Sequence, residues 1–337
     1  MQKQIFSFIK GLLLLSCLIQ IDATTGMMPP PMGGTTGMMP SSSTTSGTVC
    51  GTAAGTNSFT YTEVTDDASG STTGFPCGYR EISANGCPGY DWTSQTTPNK
   101  ATEQSVKIKL PLCPKISTTL WPTGIKNVDG TTNSNPSKGA IGISINGVAL
   151  FGNADANNGD AYINEGKTFD TCNGHPQDAG IYHYHMEPAA TCGVFKDVAG
   201  SHSPLFGFMY DGIPIYGELG DSGIAPTDLD SCGGHTDKTY PYYHYHLPKD
   251  KAFPYLTACL KGCIYTNNGN MSIDTSFIKS VSTCTLATTQ YDYTALNGKV
   301  PQITLASGGT VTTGTTSGSS SFLTLSLWIS LISFFFI

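Results

Sequence analysis

Apolar and polar positions alternate in short runs along this chain and nowhere settle into a sustained helical period. Residues 58–64 (Ser-Phe-Thr-Tyr-Thr-Glu-Val) and 105–110 (Ser-Val-Lys-Ile-Lys-Leu) place apolar side chains at every second position, as a half-buried strand does. Between Cys50 and Val300 turn signals of Asn and Gly recur instead of helix periods, which predicts one all-β domain of about 250 residues. Two runs repeat each other: residues 142–152 align without gaps to residues 207–217. Each is a short apolar strand, an Asn146-Gly147 or Asp211-Gly212 pair, and a second apolar strand. Such pairs accept positive φ at both central turn positions and predict two-residue hairpins. Pro214 has no N–H to give a ladder, so its strand is expected at a sheet edge.

Each hairpin leads to the same two elements. Cys172-Asn-Gly-His175 precedes Tyr182-His-Tyr-His185, and Cys232-Gly-Gly-His235 precedes Tyr243-His-Tyr-His246. The copies are offset by 65 residues at the hairpin and 61 at the last histidine, so the domain is read as two similar units, about 142–188 and 207–248, related by a pseudo-twofold axis. All seven histidines lie between His175 and His246; six belong to these triplets and His202 stands apart.

In an extended strand alternate side chains share a face. His183 and His185 therefore point one way with Tyr182 and Tyr184 opposite, and the second motif repeats this with His244 and His246. Two such imidazoles can grip one metal ion, and a third histidine from a loop completes a set suited to zinc or copper with a coordination position left open. His175 and His235 are placed to be that third ligand, whether the six serve two sites or converge on one. Asp170 and Asp230, each two residues before a motif cysteine, read as second-shell or turn residues, and Asp211 as a turn residue only. Metal-free acid–base chemistry, with Asp170, Asp230 or Glu187 orienting an imidazole, is an alternative that no nucleophile motif supports. A second alternative is a structural network in which the histidines only hold strands in register, as in a coat or adhesion protein. Stacking of tyrosines on sugar rings is a further, weaker reading.

These residues, taken in order, resemble the YHYH-domain family of secreted or surface proteins. The resemblance runs over about residues 77–263: Ser83-Ala-Asn-Gly-Cys-Pro, Asn146-Gly-Val-Ala-Leu-Phe, Phe169-Asp-Thr-Cys-Asn-Gly-His-Pro, both Tyr-His-Tyr-His motifs, His202-Ser-Pro-Leu-Phe-Gly-Phe-Met-Tyr-Asp-Gly-Ile-Pro-Ile-Tyr-Gly, and Phe253-Pro-Tyr-Leu-Thr-Ala-Cys. It implies an exported protein and brings no activity or substrate with it.

The ends agree with export. Residues 1–23 read as a signal peptide: Lys3 and Lys10, an apolar run, then Ala23. Residues 24–49, rich in Met, Pro, Gly, Ser and Thr, read as a disordered stalk. Residues 301–337 read as a glycosylphosphatidylinositol (GPI) attachment signal, with small residues at Ser307-Gly-Gly, a polar spacer and an uncharged apolar tail. The expected location is thus the outer face of the plasma membrane, held by a lipid anchor, with a surface protein or glycan as possible partner. Asn270-Met-Ser is a glycosylation sequon. Cys17 leaves with the signal, and the ten remaining cysteines allow five disulfides in an oxidising compartment. Local pairings open to them are Cys172 with Cys192, Cys232 with Cys259 or Cys263, and Cys77 with Cys87; Cys172 and Cys232 could instead ligate metal. Charged residues are only 12% of the chain and the net charge is −7 with no basic cluster, which excludes a nucleic-acid partner.

Overall fold

The computed structural model of the chain describes residues 47–265, 283–297 and, as backbone, 311–317. The signal segment, nearly all of the stalk, Asn270, Ser307 and the apolar tail lie outside the described residues. The first alternating run becomes β1 (Phe59–Thr65), which buries Phe59, Tyr61 and Glu63. It pairs antiparallel with β2 (Gly78–Ala84), and β2 with β3 (Val106–Pro111), the second alternating run. On the other side of β1 a parallel strand, β14 (Val311–Ser317), completes a four-stranded sheet. It lies within the stretch read as the polar spacer of the anchor signal. A two-stranded sheet joins β4 (Ile116–Pro122) to β13 (Cys259–Gly262). No helix among the described residues is long and apolar enough to cross a membrane.

The repeated half of the chain forms one eight-stranded sheet. Its strands are β5 (Ala140–Ser144), β6 (Ala149–Phe151), β7 (Gly174–Pro176), β8 (Tyr182–Tyr184), β9 (Leu205–Met209), β10 (Pro214–Tyr216), β11 (Gly234–His235) and β12 (His244–His246), in the order β11-β12-β10-β9-β5-β6-β8-β7. The order is a palindrome of the two repeats. At its centre β5 and β9 run antiparallel, and Ile143 faces Phe208, its counterpart in the repeat alignment. The pseudo-twofold axis therefore passes through this pair. One short helix, α1 (Ala161–Glu165), is capped by the Asp160 side chain. The fold is all-β, as the pattern predicted.

Both hairpins depart from the expected turn. Gly147 N–H donates to Ser144 O and Gly212 N–H to Met209 O, and only the glycines have positive φ, +85° and +83°. These are three-residue loops, a turn followed by a left-handed glycine, and not two-residue turns with both centres left-handed. The physical reason is the Asn and Asp side chains, which are engaged elsewhere. Asp211 accepts from Ile213 N, Tyr245 Oη and Gly262 N, so it does more than form the turn. Gly147 and Gly212 also abut the four-stranded sheet, where a Cβ would lie 2.6 Å from Ala84 and 2.7 Å from Pro111.

Pro214 does not mark an edge: β10 lies between β9 and β12. It is tolerated as the first residue of its strand, where a missing donor interrupts least. The two sheets meet at β9, where Phe208 stacks on Tyr61 at 6.3 Å and Arg80 lies 4.5 Å over the Phe208 ring. Arg80 is fully buried and donates to Tyr61 Oη and Gly212 O, while Tyr61 donates to buried Glu63.

All ten cysteines of the described residues form five disulfides: Cys50–Cys87, Cys77–Cys113, Cys172–Cys192, Cys232–Cys259 and Cys263–Cys284. Cys172 and Cys232 are therefore not metal ligands. A Cys77–Cys87 bridge does not form because β2 runs between them, and seven residues at about 3.3 Å each keep them far beyond bridging distance.

Candidate metal centres

Each Tyr-His-Tyr-His strand sorts its side chains as alternation requires. The tyrosines point into the core and are pinned by their hydroxyls. Tyr182 donates to Asp170 and Tyr243 to Asp230, and each aspartate also accepts the backbone N–H groups of the adjoining Cys-x-Gly-His turn. Tyr184 meets Asn146, and Tyr245 meets the repeat-equivalent Asp211. Asp170 and Asp230 thus brace the turn that carries the third histidine, from the face opposite the imidazoles. Glu187 lines a separate cleft with Phe195, Lys196 and Asp197.

On the other face the rings converge. In the first centre Nε2 of His183 and His185 are 3.2 Å apart, and His175 joins them with all three ligand atoms within 4.8 Å of one another. Phe151 stacks on His183 at 4.0 Å. Glu165 at the end of α1 places Oε2 3.7 Å from His175 Nε2 and 3.8 Å from His185 Nε2. In the second centre Nε2 of His246 lies 3.1 Å from that of His244 and 3.2 Å from that of His235. Two further residues enter here. His202 and Asp237 belong with His244 and His246 to a set whose ligand atoms lie within 4.8 Å of one another, and His202 Nε2 is 3.2 Å from Asp237 Oδ2. His202 does not stand apart. The six histidines form two centres, one per repeat, and not one.

The hydrogen bonds fix where the ring protons are. Nδ1 of His183, His185, His202, His244 and His246 faces the backbone carbonyls of Ile181, Gly152, Ser203, Tyr242 and Gly217. Nδ1 of His235 faces the Asp228 carboxylate, and that of His175 faces Thr168 Oγ1, whose own proton goes to Glu165 O. Every one of these partners can only accept, so every Nδ1 holds its proton. A neutral imidazole has one N–H. In His175, His183, His185, His244 and His246, which burial keeps neutral, Nε2 is therefore a bare lone pair, and those of His183 and His185, and of His244 and His246, face each other.

Protonation does not relieve this near neutral pH. Burial, with repulsion from the neighbouring rings, holds His175, His244 and His246 down to about 3. Burial likewise brings His185 to about 4 and His183 well below its ordinary value. His175 Nε2, His202 Nε2 and Asp237 Oδ2 are buried without a hydrogen-bond partner. The Nε2···Nε2 separations of 3.2 Å between His183 and His185 and 3.1 Å between His244 and His246 are thus contacts between acceptors. They are close to the ~3.3 Å edge of a tetrahedron of nitrogens at ~2.0–2.1 Å from one ion. Orientation of each ligating ring by an acceptor at its other nitrogen is the usual outer support of a histidine metal site.

The comparison with protein families fits this geometry. The chain carries a YHYH-family segment: the model described as YHYH protein matches residues 107–227. No curated protein and no solved structure matches the chain. The YHYH match is narrower than the resemblance over residues 77–263. It takes in His175, His183, His185 and His202 but ends before His235, Asp237, His244 and His246. The second Tyr-His-Tyr-His is tied to the YHYH segment by the internal repeat and the shared sheet.

Sequence reasoning missed His202, Asp237 and Glu165. The repeat held a signal for the first: His202 lies three residues before β9, in the lead-in to the second hairpin. Asp237 follows His235 by two residues, the spacing that puts two side chains on one face of extended chain. Glu165 comes from a helix that no sequence period announced.

Proposed function

We propose that this protein is an exported, metal-binding surface protein of the YHYH type whose two histidine centres each hold a zinc or copper ion. The observation that carries the reading is the pairs of bare, buried Nε2 atoms, His183 with His185 at 3.2 Å and His244 with His246 at 3.1 Å, a repulsive arrangement that a cation turns into an attractive one. Imidazole and carboxylate donors without thiolate suit zinc and copper(II) better than copper(I). The purely structural network is disfavoured by the same bonds, since holding strands together through Nε2 requires a proton there. Five disulfides support an oxidising, exported location. We assign the tether to a GPI anchor at or near Ser307 and a glycan to Asn270, on sequence grounds.

The test is elemental analysis of a tag-free ectodomain, residues 24–317, which keeps β14, made through a secretory route and dialysed without chelator. Two equivalents of zinc or copper are expected, falling to one in His183→Ala and one in His244→Ala. Metal content near zero that added ions do not restore would overturn the reading. Release of the full-length protein from cells by a phosphatidylinositol-specific phospholipase tests the anchor, and retention would refute it.

A further inference from the structure

The two centres are copies in topology but not in their ligands, and the difference is systematic. The hairpin offset of 65 residues puts Ser137 where the second repeat has His202. Gln177 stands two residues after His175, where Asp237 stands two after His235. Both additional donors of the second centre are therefore missing from the first. Beside the second centre the structure places aromatic rings. The His202 ring sits edge-on to Tyr216 at 5.1 Å and Tyr240 at 4.7 Å, and the cleft beside it, lined by those tyrosines and Tyr242, takes in none of its histidines. The first centre faces a cavity. His175, His183 and His185 all line a cavity of about 410 Å³, together with Glu165, Gln177 and Asn99.

We propose that the first centre is the ligand-accepting metal site and the second a saturated structural one, an inference that rests on the metal-binding reading above. Sites that process a ligand keep three protein donors and an exchangeable position; structural sites fill every position with protein. Three histidines at the cavity wall meet the first description. Four histidines and Asp237 meet the second. The ligand at the open position is water or a small anionic donor. The Glu165 carboxylate, 3.7–3.8 Å from two of the ligand nitrogens, is placed to accept a hydrogen bond from a metal-bound water. The hydroxyl and amide groups of Thr97, Asn99 and Gln177 give a larger ligand polar contacts beyond it.

The experiment is azide titration of the ectodomain loaded with two equivalents of cobalt(II), followed by visible absorption. One of the two ions is expected to change its ligand-field bands and the other to stay silent. A His183→Ala/His185→Ala protein should keep only the silent ion, and a His244→Ala/His246→Ala protein only the responsive one. The wild-type titration needs no variant to fold: if both ions respond, or neither does, the division of roles is wrong while metal binding stands. A response that survives His183→Ala/His185→Ala likewise overturns it. Failure of the protein to take up cobalt, zinc or copper at all would instead refute the metal reading, and this inference with it.

Discussion

Acid should unfold the metal-free domain, and the structure says how steeply. Each buried histidine is neutral in the fold but would titrate near its ordinary value of 6.5 once unfolded. Between 6.5 and about 3–4 the unfolded chain binds more protons than the folded one, so stability is complete above 6.5 and is lost as pH falls towards the folded values. At pH 5 each such group costs about 2 kcal/mol at ~1.4 kcal/mol per pKa unit. His175, His185, His244 and His246 together then cost on the order of 8 kcal/mol if they titrate independently, comparable to the ~5–15 kcal/mol of a whole domain. His183 acts in the same direction. Two buried carboxyls oppose it: Asp211, raised to about 6, and Glu187, raised to about 7, are both shifted chiefly by burial. At pH 5 Asp211 returns about 1.4 kcal/mol and Glu187, partly screened by solvent, less than about 2.7 kcal/mol, together no more than about half of what the histidines remove. The assay is urea denaturation of chelator-treated ectodomain at pH 8, 7, 6 and 5, with the disulfides intact. A steep loss of midpoint between pH 7 and 5 is expected, and saturating zinc should raise the midpoint at pH 7 and 8. A flat profile in metal-free protein would show that the imidazoles already share protons, and the lone-pair argument would fail.

Other outcomes follow from the same geometry. Long-range ¹H–¹⁵N correlation spectra of metal-free protein at pH 7.5 should show the Nδ1–H tautomer at His175, His183, His185, His244 and His246; an Nε2–H signal from His183 or His244 would contradict the assignment. Asp211→Ala leaves three buried donors without their acceptor and should destabilise the domain by about 3–5 kcal/mol, read as a lower melting temperature with metal content of the first centre unchanged. Arg80→Met removes the buried donor to Tyr61 Oη and Gly212 O and should cost about 2–4 kcal/mol, measurable by the same denaturation; a change below about 1 kcal/mol would refute the importance of those contacts.

Much of the architecture was legible because strand alternation leaves a direct mark. The two alternating runs became β1 and β3, and the same rule sorted histidines from tyrosines in both motifs. The gapless hairpin repeat announced the pseudo-twofold sheet. Pairings between distant segments left no such mark. Cys50 and Cys113 reach Cys87 and Cys77 only because β2 places those two at opposite ends of one strand. Pro214 read as an edge signal because a proline states what one residue cannot donate, not which strand arrives beside it. Asn146 and Asp211 looked like turn formers, yet tertiary partners engage their side chains and leave the left-handed conformation to the glycines. His202 escaped for a related reason: its nearest chain neighbours carry no chemistry, and only folding brings it 3.2 Å from Asp237.

The pairing of Ile143 with Phe208 bears on the origin of the chain. A strand that meets its own counterpart in antiparallel register is self-complementary, so two separate copies of one unit would associate through that edge as a symmetric dimer. Joining them in one polypeptide makes the association unconditional on concentration. It also frees each half from having to match the other. A substitution in a homodimer appears on both sides of its axis, whereas in the fused chain Ser137 and His202, or Gln177 and Asp237, can differ. The fused sheet is what permits two centres of equivalent topology to carry unlike donors.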